Sequence, residues 1–443
     1  LGLEAHQDEA LNVVLKKPGT EGYEDSEPVI LQGHMDMVCV KEEGSDHDFS
    51  KDPIKFIVNG DKITADQTTL GADNGIAVSF GLALFASKDI PHPPLELLIT
   101  TSEETGMDGA FAVDPDMLEG RRLINIDAEE EGKLLVSCSG GVGTIMRLPI
   151  TWEQAPEGAK AYDLVLDGLL GGHSGMEIDK QRGNANTLMG RILSDLQKEV
   201  EFKVAAINGG SKHNAIPSKA EASLVLNQDH VAVLEDKVKH WNEVLKNELL
   251  NADEGVKLAL EEKDETAEKV YSEESLKQAI AILRLTPTGV LAMSMAISGL
   301  VQTSNNLGVV ITHEDEISFE SAIRSSVRSQ KDAVADQMAI IAETCGAEIE
   351  YVSDYPEWEY NPNSELREVF IKSYEELYGK EPEIDAIHAG LETGLFSEKF
   401  NGEIDLIAFG PNLLDVHTPQ ESMSIQSVEN TYEYLKKVLE NLK

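Results

Sequence analysis

Three short apolar runs, each ending in acid or histidine, constrain this chain more than any other feature. They are "PVILQGHMDMV" (28–38), "PPLELLITTSEE" (93–104) and "RRLINIDAEE" (121–130). An unbroken apolar run of this length suits a strand buried on both faces. Between the first two lies "DNGIAVSFGLALFAS" (73–87), with apolar residues at helical spacing. Strands alternating with helices predict an α/β fold with a mainly parallel sheet and helices on both faces. In such sheets the ligand crevice lies beyond the carboxyl ends of the strands. That is where His34, Asp36, Glu103, Glu104 and Asp127 stand, while Asp73 opens the helix.

The texture changes after "SCSGGVG" (137–143). Strand-like segments such as "AYDLVLD" and "EISFESAIRSS" (316–326) alternate with helical ones at 184–200 and 230–250. This predicts an inserted α+β domain over 141–353. The catalytic domain is then expected in two parts, 1–140 and 354–443. The second part carries helices near 363–379 and 424–442 and loops at "HAGLETGLF" and "PNLLDVHTP".

Charge narrows the partners. The chain holds 80 acidic and 37 basic residues, a net charge of −43, which repels nucleic-acid phosphates and anionic lipid. No nucleic-acid or membrane partner is expected. The longest apolar stretch, "TGVLAMSMAISGL" (288–300), is shorter than the roughly 20 residues of a membrane span. Cys39, Cys138 and Cys345 form neither a disulfide framework nor a CxxC site, so a reducing, cytoplasmic setting is expected. The start, "LGLEAHQDEA", has no basic or apolar leader and no Met.

Histidine nitrogen and carboxylate oxygen are zinc's ligands where cysteine is absent. A two-metal hydrolytic centre needs ligands on each ion, a bridging carboxylate and a free carboxylate as base. A lone HxD or an acid pair is common and usually solvated. The order H-x-D, G-A-D-N-G, S-E-E-T-G, N-I-D-A, each at a strand end or helix start, carries the signal.

With "LQGHMDMV", "LGADNGIAV", "TSEETGMDGA", "NIDAEEEG", "GGHSGMEI", "RGNAN", "KHNAIP", "HAGLETGLF" and "PNLLDVHTP", the chain resembles the co-catalytic zinc exopeptidases over essentially its whole length. That family includes carnosinases, glutamate carboxypeptidases, tripeptidase T and aminoacylases. The resemblance implies two Zn2+ per subunit, with Co2+ or Mn2+ as substitutes. His34 and Asp127 would hold one ion, Glu104 and His417 the other, and Asp73 both. It implies Glu103 as general base, Asp36 orienting the His34 ring, and a cis Asp73–Asn74 bond. It implies substrate contacts from His173, Asn214 and Arg324 in the inserted domain and from Gly390 outside it, and a homodimer formed through the inserted domain. A segment carrying the first helices would precede the present start. Arg328 stays open beside Arg324, and His388 beside His417. His213 and His388 are read as structural or supporting; His6, His47, His92, His230, His240 and His313 as surface residues.

The expected activity is hydrolysis of dipeptides, especially Xaa-His such as β-alanyl-histidine. N-acyl amino acid deacylation and tripeptide cleavage share the same centre and stand as alternatives. A catalytically dead metal-binding relative is the reading from another class, and an intact Glu103 speaks against it.

Overall fold

A computed structural model describes residues 2–265 and 267–443. The chain divides into two compact units. The first runs to Cys138 and resumes over Glu357–Ile387 and Leu391–Lys443; the second comprises Ser139–Pro356 and His388–Gly390.

The first unit is built on an eight-stranded sheet. Its middle strands, Leu95–Thr100, Val29–His34, Arg122–Asn125 and Asp405–Ala408, are mutually parallel. Val13–Lys17 is antiparallel at one side of that group. Lys133–Cys138 lies beyond Asp405–Ala408 and pairs in parallel with Glu383–Ile387. Every residue of Val29–His34 and Leu95–Thr100 is buried. Alternate side chains explain why. Val29, Leu31, Leu95, Leu97 and Ile99 pack with Ile76, Phe80, Phe370 and Leu435, from helices Ala72–Ala86, Glu365–Tyr378 and Ile425–Asn441. Ile30, Leu98 and Leu123 turn the other way, toward Ala110 and Phe396, from helices Asp108–Ala112 and Glu392–Lys399. A strand covered on both faces has no position for a solvated residue, hence the unbroken apolar runs. The mainly parallel sheet with two helical layers is the architecture the sequence predicts.

The second unit contains a nine-stranded sheet whose pairings are antiparallel. One large core joins it to helices Ala185–Leu196, Val231–Glu248, Glu273–Leu285 and Arg328–Cys345. Sequence patterning does not find Val301–Thr312, although nine of its positions, 301 and 303–310, are buried. Its "QTSNN" reads as loop. These polar groups are paired inside: the Asn306 amide donates to His213 O and Ala215 O, and Thr303 Oγ1 bonds Ser325 Oγ. The apolar stretch at 288–300 yields only the strand Gly289–Met293. No helix among the described residues is long and apolar enough to cross a membrane.

Candidate metal centre

Parallel neighbours deliver their carboxyl ends to the same edge of the first unit's sheet. His34 is the last residue of its strand. Glu103 and Glu104 follow Leu95–Thr100 through Ser102, which has φ 54°. Asp127 follows Arg122–Asn125. The helix carrying Asp73 comes so close that a Cβ on Gly33 would stand 2.2 Å from Asn74 Oδ1 and 2.3 Å from the Ala77 Cβ. Asn74 uses this proximity: its Oδ1 accepts from His34 N at 3.2 Å, and its Nδ2 donates to Ile126 O at 2.6 Å. One side chain therefore ties together the segments that bear His34, Asp73 and Asp127. The Asp73–Asn74 peptide is cis, as the resemblance implies.

The donor atoms converge in two groups that share Asp73. His34 Nε2 lies 3.1 Å from Asp73 Oδ1 and 3.5 Å from Asp127 Oδ1. His417 Nε2 lies 3.0 Å from Asp73 Oδ2 and 3.1 Å from Glu104 Oε2. Ligand atoms about 2.1 Å from one tetrahedral zinc stand about 3.4 Å from each other, so each group has the spacing of a cation's donor shell. His34, Asp73 and Glu104 also offer ligand atoms that all lie within 4.8 Å of one another. Glu104 Oε1 is buried without a hydrogen-bond partner. An acceptor left bare in a cluster of acids needs positive charge beside it. The residues fit a pair of divalent cations in donor type, number and spacing.

Electrostatics agree. Burial opposes charge on His34, but the Asp127 and Asp73 carboxylates outweigh it and raise the imidazole to about 12. Asp73 and Glu104 raise His417 to about 10. Burial, with Asp127 nearby, pushes Glu103 up to about 8. Burial also raises Asp127. So much negative charge in one buried place marks a site made for cations.

Asp36 stands at the other nitrogen of the His34 ring. His34 Nδ1 pairs with the Asp36 backbone carbonyl at 3.0 Å, whereas the carboxylate stands 3.5 Å away. The carboxylate instead accepts from Glu103 N and Glu104 N, both at 3.1 Å. The main chain fixes the ring; the side chain fixes the turn bearing the two glutamates.

The remaining predicted residues gather in the second unit. His173 pairs with Ala215 in a two-residue bridge, and Ser174 N donates to Asn214 O at 2.9 Å, so the His173 and Asn214 loops are joined. Arg324 is buried in its strand, donates to Tyr355 Oη at 2.6 Å, and leaves Nε without a partner. Arg328 is exposed at the start of a helix. A Cβ on Gly390 would meet the Tyr355 ring at 2.8 Å. His388 belongs to this unit: its Nε2 is 2.7 Å from Ser304 Oγ, and burial, then Arg324, depresses it to about 3. Burial and Arg324 also lower His173.

Two acids near the first unit's donors escaped sequence reading. Burial and the Asp73 and Asp127 charges raise Glu129 to about 7. Its place in the acidic run that follows Asp127 was the available signal. Glu392 is fully buried, takes hydrogen bonds from Gln32 Nε2 and Thr100 Oγ1, and is raised to about 7 by burial and Asp127. No local pattern announces it. His92, expected at the surface, is fully buried, its Nδ1 2.7 Å from Pro93 O.

Comparison with known proteins gives consistent matches. The model of peptidase family M20/M25/M40 matches residues 30–441. The cytosol non-specific dipeptidase of Escherichia coli (strain K12) is 38% identical over 443 residues, which span all of this chain and 90% of that protein. The crystal structure of aminoacylhistidine dipeptidase from Vibrio alginolyticus superposes with a TM-score of 0.93 at 39% identity, over 99% of this chain and 89% of that one. Aminopeptidase PepT from Bacillus cereus shares the fold at a TM-score of 0.55 and 14% identity, over 100% of this chain and 89% of that one.

Proposed function

The chain belongs to peptidase family M20/M25/M40 and is a peptide-bond hydrolase; from that premise we propose how its two donor groups serve a dipeptidase. The substrates are dipeptides, with Xaa-His such as β-alanyl-histidine among them. Dipeptidase action is supported by the relatives named for it in Escherichia coli and Vibrio alginolyticus. The observation that carries the mechanistic reading is the division of Asp73, with one oxygen toward His34 and the other toward His417.

His34 and Asp127 would hold one zinc ion, His417 and Glu104 the other, with Asp73 shared. Bound there, the pair supplies Lewis-acid polarisation of the scissile carbonyl and acidifies the attacking water. Glu103 takes the water's proton and returns it to the leaving amine. A carboxyl raised to about 8, chiefly by burial, lies near neutrality, where one group can both accept and give a proton. Asp36 holds the Glu103–Glu104 turn, so that one glutamate serves as ligand while its neighbour stays free. Arg324 offers its guanidinium to the free substrate carboxylate, a pairing that selects exopeptidase substrates. His173, Asn214 and the Gly390 backbone complete the substrate contacts. His388, kept neutral, supports them. We place the enzyme in the cytosol, as a homodimer formed through the second unit.

Metal analysis coupled to a substrate panel tests this. Two equivalents of zinc, with chelator-sensitive cleavage of β-alanyl-histidine and little action on N-acetyl amino acids, are expected. Preference for the N-acetyl compounds, or full activity after complete chelation, overturns the reading.

A further inference from the structure

Glu421 is buried and makes a set of contacts unlike any other acid described above. Its Oε2 accepts from Leu70 N at 2.7 Å and Gly71 N at 3.1 Å. Its Oε1 accepts from Ala72 N at 2.8 Å and, more weakly, Asp73 N at 3.4 Å. Successive amides curled around a left-handed residue form an anion-binding concavity. Gly71, at φ 72°, supplies that residue and also stands at the N-cap of the Asp73 helix, where no local side chain caps it. The cap comes instead from a residue 350 positions away.

That residue lies four places beyond His417. The intervening loop is tightly wound: Thr418 Oγ1 donates to Asp415 O at 2.7 Å, and Glu421 N donates to Thr418 O at 3.1 Å. Asp415 and His417 both have left-handed backbones, at φ 55° and 63°, a conformation that L-residues adopt at a cost. The His417 side chain is half exposed and is not held by core packing. An anchor outside the histidine must therefore fix where its ring points. His34 and Asp127 are anchored by other means, the buried strands that end at or near them and the Asn74 amide.

We infer that Glu421 is a positioning residue for one half of the metal centre: its carboxylate, seated in the 70–73 amide concavity, locks the His417 loop to the Asp73 turn and so forms the Asp73–Glu104–His417 cation site. The inference rests on the two-cation reading given above. Losing the carboxylate frees the His417 loop, while Asn74 still ties the Asp73 turn to the segments bearing His34 and Asp127. The two cations are then affected unequally, whereas a residue that merely supports the fold would weaken both together.

The test is a zinc-binding isotherm of the metal-free protein against a chromophoric chelator, for wild type and E421Q. The glutamine has the same shape but sets an amide NH2 against backbone donors. Wild type is expected to take up two equivalents. E421Q is expected to keep one at near wild-type affinity and to lose about 10- to 100-fold on the other, the range seen for groups that orient metal ligands. Added zinc should restore its kcat with the dipeptide KM unchanged. Two equivalents at wild-type affinities in E421Q, or an equal loss on both, overturn the inference. Fewer than two equivalents in wild type overturn the two-cation reading, and this inference with it. Should E421Q not fold, E421D keeps the charge but is one methylene short of the amides, and the same isotherm decides.

Discussion

Glu103 and Glu104 are adjacent in sequence and differ in task because of what surrounds each. Glu104 Oε2 faces His417, while Glu103 is desolvated and raised to about 8. Glu103→Gln should lower kcat by about 10²- to 10⁴-fold, the usual worth of a positioned acid–base group. Metal content should not change. Turnover and metal analysis on one preparation check both. His388 provides a pH test. Its folded-state value, about 3, lies below the ordinary 6.5. The unfolded chain therefore binds a proton that the folded protein refuses. This residue's contribution to stability is fully present above about pH 6.5 and is lost as pH falls toward 3. Urea unfolding of wild type and H388Q at several pH values should show a shallower acid-side decline in the variant.

At the scale of elements, the centre depends on one close approach between a strand and a helix. Gly33 leaves room for Asn74, and Asn74 joins the His34 and Asp127 segments. Gly33→Ala would drive a methyl into Asn74 and Ala77, and overpacking of this kind costs about 1–3 kcal/mol or more. Denaturant unfolding of the metal-free protein should show that loss, with weaker binding of both cations. The buried strands were legible because two-sided burial leaves an unbroken apolar run. His34, Glu103, Glu104 and Asp127 stood out because they follow those runs at their ends, and Asp73 because it opens a helix. Val301–Thr312 was not, since its buried Thr303 and Asn306 side chains are paired with partners that local pattern cannot reveal. The resemblance put Asp36 beside the His34 ring; no local pattern showed that its carboxylate also accepts from the Glu103 and Glu104 amides.

Across the whole molecule, two terms oppose folding without cations: a net charge of −43, and the carboxylates Asp127, Glu103 and Glu129, whose charged forms burial disfavours. Binding of metal to the folded state alone stabilises it by RT ln(1 + [L]/Kd), about 2.7 kcal/mol at 100-fold excess over Kd. Chelation should therefore lower Tm, and restored zinc should recover it. In the chelated protein, raising NaCl from about 0.05 to 0.5 M should raise Tm, because the Debye length shrinks well below the spacing of many surface charges. Calorimetry across both series checks these outcomes.

The sequence by itself determined which segments are buried and which donor atoms stand at their ends, because burial periodicity and strand termination are local properties of the chain. Tertiary structure alone decided how those donors are partnered. It split Asp73 between two histidines far apart in the chain, seated Glu421 in an amide concavity 350 residues away, and put the neutral His388 beside Arg324. Such pairings arise from packing between distant segments, and no spacing along the chain encodes them.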